Sequence, residues 1–220
     1  GELMDEPGIN RVTVEEVTEG TPPDKYHRFL SQNNAIWPHE KYLNIWLMSE
    51  TKYPKFWNSI TKLCVPKYRL GSETLPGLSL PPVPSTWVPK VEQIGILFRM
   101  STFQYFQRSI DATAERELVT CIGNYLGLLD TWKINNSNVN DQCNDTFAYG
   151  IVNNNGSLGT NSSWSKEVGS YRFLSENIMD DPTGTHRSVS KDQALRMYWV
   201  LKNCAGRSMW QSDFALTGKE

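Results

Sequence analysis

The chain has 220 residues and 25.1 kDa, 39% of them hydrophobic and 21% charged, enough apolar material for one sizeable core without disulfide or metal staples. Lys+Arg 22 against Asp+Glu 24 gives a net charge of -2 with no basic block, which argues against a phosphate-reading surface and so against nucleic acid as a partner. No apolar run reaches the ~18 residues of a membrane span, and no signal-like stretch opens the chain. Gly1-Glu2-Leu3-Met4 reads as the inside of a domain or as an artificial junction, so any export signal would lie upstream.

Residues 1–40 read as irregular, because Pro7, Gly8, Gly20, Pro22, Pro23 and Pro38 punctuate them and no period persists. Val12-Thr13-Val14 is the one short strand expected there. Tyr42 to Met48 is a run of aromatic and aliphatic residues bounded by prolines, and it predicts a buried strand. From Gly71 to Pro89 the prolines exclude helix and remove ladder donors, so a loop is expected. Ile94 to Phe98 predicts a second strand. Ala112 to Leu126 predicts a helix, since Leu118, Ile122 and Tyr125-Leu126 recur at i, i+4 and i+7/i+8; Gly127 sits where a glycine closes a helix. Residues 133–165 hold nine asparagines between Asn135 and Asn161 and read as a long polar loop. Such a stretch makes N-x-[ST] triplets by chance, so glycosylation is not read from them. Ser190 with Gln193 predicts a capping box opening a last helix from Lys191 to about Asn203. There is no internal repeat, and residues 1–220 read as a single domain.

Cys64, Cys121, Cys143 and Cys204 form no C-x-x-C pair, which removes zinc ribbons and thioredoxin-type motifs. His27, His39 and His186 lie far apart and are expected to be solvated loop residues. Cys121 would need a nearby base or a positive field to act as a nucleophile, and its neighbours in sequence supply neither. A small buried thiol is the plainer reading.

The segment Val119 to Trp132, VTCIGNYLGLLDTW, resembles the zinc-binding helix of the pappalysin (cytophagalysin-like) family of metzincin metalloproteases. In that family H-E-x-x-H-x-x-G-x-x-H sets two histidines on one helix face, bends at the glycine, and returns a third histidine to the same ion. With Gly127 on the family's glycine, the ligand positions fall on Thr120, Asn124 and Asp130, and the catalytic glutamate falls on Cys121. Tyr125 to Leu129, Thr131 and Trp132 still look like the family. Further stretches resemble it in the same order: Pro7 to Val12, Tyr42 to Trp46, Asp141 to Thr146, the Met-turn at Ser175 to Asp180 with Met179, and the helix from Gln193 to Cys204. Two departures stand out. Asp181 occupies the place of the family's tyrosine, and the family's first strand-helix-strand would either lie upstream of Gly1 or be missing from a smaller sheet.

The resemblance implies an α+β, metzincin-like (zincin) catalytic-domain fold. Its parts would be a twisted mixed sheet, a central active-site helix, and an irregular C-terminal subdomain ending in a helix. It implies a catalytically inactive homologue, because a hydroxyl, an amide and one carboxylate are poor zinc donors. Thr120 and Asn124 would then bond each other, water or backbone, with Met179 filling the floor beneath. The cleft between the strand at Ile94–Phe98 and the helix at Thr120–Leu126 would hold an extended peptide or protein by strand addition, uncut. An active metallopeptidase with an atypical metal site is the alternative. No zinc or other cofactor is expected. Some relatives bind calcium near the Asp-Thr step, so Asp141, Asp145 and Thr146 are candidates for a structural calcium; the alternative there is a polar turn. A Cys143–Cys204 disulfide is suggested by the family's habit of tying this loop down, although its usual partner position falls near Gly169 and Ser170. Relatives are secreted or lipid-anchored in the envelope of Gram-negative bacteria, and the same location is implied here.

Overall fold

A computed structural model describes residues 23–48, 59–61, 94–99, 113–134, 141–151, 165–168, 171–180, 186–203, 206–207 and 209. The expectations on Val12 to Val14, the proline-rich stretch 71–89, Cys64, Asp181 and Cys204 lie outside these residues.

The first element is a helix, α1 (Pro23–Gln32), where an irregular segment was expected. The physical reason lies in the position of the proline. At the first helical residue its missing N–H would be unpaired in any case, and its fixed φ suits the helix. The helix closes at Asn34, which takes a left-handed φ of 52°. Asn34 N donates to Ser31 O (3.3 Å) and Ala35 N to Leu30 O (2.9 Å), the paired closure of a Schellman turn.

Three strands make a mixed sheet: β1 (Ile45–Met48), β2 (Ser59–Thr61) and β3 (Ile96–Arg99), in the order β1-β3-β2. β3 runs parallel to β1, with Ile45 opposite Ile96, and antiparallel to β2, with Ser59 opposite Phe98. The run from Tyr42 was expected to be a buried strand. Only Ile45–Met48 is extended in the sheet, and it alternates: Trp46 is buried while Ile45 and Leu47 are 38% and 41% exposed. Trp46 Nε1 donates to Ala35 O (3.1 Å), fastening the end of α1 to the sheet. Asn44 serves as a strand-like clip, donating from Nδ2 to Trp37 O (2.8 Å) and accepting Trp37 N–H on Oδ1 (2.9 Å). Gly95 lets the backbones close up, since a Cβ there would lie 2.7 Å from both Asn44 O and the Trp46 ring.

Helix α2 (Thr113–Tyr125) packs against β2 and β3. Its sheet-facing stripe runs Leu118, Cys121, Ile122, Tyr125, and Cys121 and Tyr125 join Ile94 and Ile96 in one buried cluster. The segment expected as one long polar loop, 133–165, instead carries regular structure at both ends and within. β4 (Trp132–Ile134) pairs in parallel with β5 (Tyr149–Ile151), and β6 (Ser165–Val168) pairs antiparallel with β7 (Tyr171–Leu174). These strands are three or four residues long, too short for a period to stand out among asparagines. The last helix, α3 (Lys191–Asn203), starts as its capping box predicts. Gln193 N donates to Ser190 Oγ (3.2 Å) and Ser190 N to Gln193 Oε1 (3.0 Å). No helix among the described residues is long and apolar enough to cross a membrane.

Candidate functional site

α2 has a second packed stripe, one turn of the wheel away from the first. Thr120, Gly123, Asn124 and Gly127 fall at i, i+3, i+4 and i+7, so they share a face. This face looks onto the turn Asn177–Asp180. Met179 is fully buried there, and a Cβ built on Gly123 would lie 2.5 Å from its Sδ. The helix therefore rests on the methionine through a glycine, with Ile178 and Leu128 flanking the contact.

The helix ends in a bend. Gly127 has φ 89°, Gly127 N donates to Asn124 O (3.0 Å), and Leu128 N donates to Gly123 O (2.9 Å). This is again a Schellman closure, with glycine in the left-handed place. Its carbonyl is caught from the other side by Arg196 of α3, whose Nε donates to Gly127 O at 2.5 Å and whose Nη1 and Nη2 reach Gln142 Oε1, 3.3 Å each. Gly127→Val is expected to destabilise the protein by about 1–3 kcal/mol, the cost of forcing a branched residue into that backbone region. A urea midpoint unchanged from the parent would contradict the bend.

After the bend the chain is pinned beside the methionine. Thr131 N donates to Met179 O (3.1 Å) and Thr131 Oγ1 donates to Asp180 Oδ1 (2.8 Å). The turn is held from below by a buried amide pair. Asn177 Nδ2 donates to Gln193 Oε1 (2.7 Å), Gln193 Nε2 donates to Asn177 Oδ1 (3.0 Å), and Met179 N donates to the same Asn177 Oδ1 (2.9 Å). The capping-box glutamine of α3 thus also fixes the turn under α2.

The residues singled out from sequence now have places. Thr120 is half-buried and donates its hydroxyl to Ile178 O (2.9 Å); backbone was one of three partners considered for it, beside Asn124 and water. Asn124, also half-buried, lies one turn on along the same stripe, and its side chain is not the partner of that hydroxyl. Asp130 is exposed, next to the pinned Thr131. Cys121 is on the sheet-facing stripe, 5% exposed, so its thiol lies in the core away from solvent. Among the described residues no three His, Cys, Asp or Glu side chains converge as a metal site would require. A hydroxyl already bonded to a carbonyl, an amide and an exposed carboxylate do not fit zinc.

One residue here was misread from sequence. His186 was expected to be a solvated loop residue, but it is 8% exposed, with φ 49° and Nδ1 3.3 Å from Thr120 Oγ1. With the Thr120 hydroxyl donating to Ile178 O, a hydrogen bond between Oγ1 and Nδ1 would use the tautomer of His186 that has its proton on Nδ1. The segment after His186 bridges to the turn: Ser188 N donates to Glu176 O (2.9 Å) and Ile178 N to Ser188 O (2.9 Å). Sixty-six residues separate His186 from Thr120, so no local pattern announces their meeting.

The candidate calcium loop is engaged elsewhere. Asp141 is buried and accepts Thr146 Oγ1 on Oδ2 (2.5 Å) and Cys143 N on Oδ1 (3.4 Å). Burial raises its pKa, and the bonds from Thr146 and Cys143 with the nearby Arg196 charge offset only part of that. Asp145 points the other way, onto the start of α3: it accepts Ser190 Oγ on Oδ1 (2.6 Å) and Asp192 N on Oδ2 (3.0 Å), while Asn144 N donates to Asp192 Oδ2 (3.0 Å). The two carboxylates face separate donors, so as arranged this loop does not fit a shared cation. Cys143 carries a free thiol, contrary to a Cys143–Cys204 disulfide. Burial first, then the Asp141 charge, pushes its pKa up to about 12, which makes it a poor nucleophile.

Slight desolvation of Asp145 is outweighed by the bonds from Ser190 and the α3 N–H groups, and its pKa is lowered. A depressed folded pKa adds stability above the unfolded value, and that stability is lost as pH falls through the folded pKa. Asp145→Asn should therefore be less stable than the parent near neutral pH and lose less stability on acidification below ~pH 4. Parallel acid-unfolding curves for the two proteins would contradict this.

The cleft also needs correction. The strand at Ile94–Phe98 was expected to offer an edge to a peptide, but β3 is the middle strand, paired by β1 on one side and β2 on the other through Ile96 to Phe98. Among the described residues β2 ends the sheet on the α2 side. In comparisons with known proteins, no family model, curated protein or solved structure matches the chain.

Proposed function

We propose that this chain is a catalytically inactive relative of the metzincin metalloproteases, a single metzincin-like α+β domain kept as an extracytoplasmic binding or structural module. The resemblance in sequence supplies the family and the cell-envelope location. One observation carries the loss of activity. Helix α2 keeps a left-handed bend at Gly127 and a buried methionine beneath Gly123, while Thr120 bonds the Ile178 carbonyl and Cys121 lies in the core. A bent helix over a methionine is in keeping with the family's scaffold, while Thr120, Asn124 and Asp130 supply poor zinc ligands. With no metal-activated water at these positions, a bound peptide would be held rather than hydrolysed. Among the described residues β2 ends the sheet, and an extended peptide would add to that edge, because β3 is paired on both sides.

Metal content and peptidase activity of the purified protein test the reading together. Substoichiometric zinc and no cleavage of denatured protein are expected. A stoichiometric transition metal with chelator-sensitive hydrolysis would instead establish an active metallopeptidase with an atypical site. A second measurement tests the scaffold itself. The variant Thr120→His/Asn124→His/Asp130→His should acquire stoichiometric zinc, and a folded variant that binds none overturns the kinship. Cys121→Glu is left out because it would place a carboxylate in the apolar cluster with Ile94 and Ile96.

A further inference from the structure

We draw no further inference here: the strongest candidate, the apolar surface patch where the exposed Phe147 ring stacks on Phe173 of β7, carries nothing because nothing in the structure shows what covers it.

Discussion

Asn177→Ala should lower the stability of the protein by about 3 kcal/mol, the largest single effect expected here. The substitution removes two bonds to Gln193 and the acceptor of Met179 N. What remains is worse than a gap, because Gln193 is fully buried and its Nε2 loses that acceptor with no solvent to replace it. The damage should spread in two directions. Gln193 also closes the N-terminus of α3 through Ser190, and Met179 forms the seat of α2. A urea midpoint with an unchanged slope would report it. A double-mutant cycle with Gln193→Ala should give a coupling above about 1 kcal/mol, since the two amides serve each other. Additive losses would mean that the pair is no unit.

Gly123→Val should be the next most harmful change, at about 2–3 kcal/mol. Mid-helix glycine is ordinarily a weakness, and alanine in its place would gain about 1 kcal/mol from helix propensity alone. Here the space is already taken: a Cβ would lie 2.5 Å from Met179 Sδ and 3.4 Å from Ile178 Cδ1. Methionine is adaptable, but this one has no exposure and little room to swing. The cost is therefore one of overpacking, and it should shrink when the methionine is shortened. Gly123→Val in a Met179→Ala background should cost less than half of what it costs in the parent. A cost equal in both backgrounds would place the methionine somewhere other than against the helix.

Local signals in the sequence were sufficient wherever one element carries its own evidence. Helix α2 shows its stripe of Leu118, Ile122 and Tyr125 and its closing Gly127, and α3 shows Ser190 with Gln193. The strands β1 and β3 stand out as apolar runs, although the alternation of Ile45, Trp46 and Leu47 depends on which side of the sheet is covered. Helix α1 was hidden because Pro23 was weighed as a breaker rather than as a first residue. β2 and β5 are three residues long, and what makes them strands is the neighbour they pair with. The site was legible to a similar depth. Gly127 and Met179 could be named beforehand, since a bend and a floor need particular residues. That Thr120 would meet His186, that Cys121 would face the sheet, and that Asp145 would cap α3 are facts of long-range assembly.

Helix α2 is held by partners that are made long after it. The guanidinium of Arg207, fully buried over the Tyr125 ring at 3.8 Å, donates from Nε to Tyr125 O (2.8 Å), and 82 residues separate the two. The Tyr125 hydroxyl waits for Gly206 in the same way. At roughly 5–20 residues per second of synthesis, that interval is on the order of 4–16 seconds. During it the Tyr125 end of α2 lacks Gly206 and Arg207, and for most of it the Met179 floor is missing as well. Until Gly206 and Arg207 emerge, that end of the helix would be open to a chaperone that holds unfolded chains.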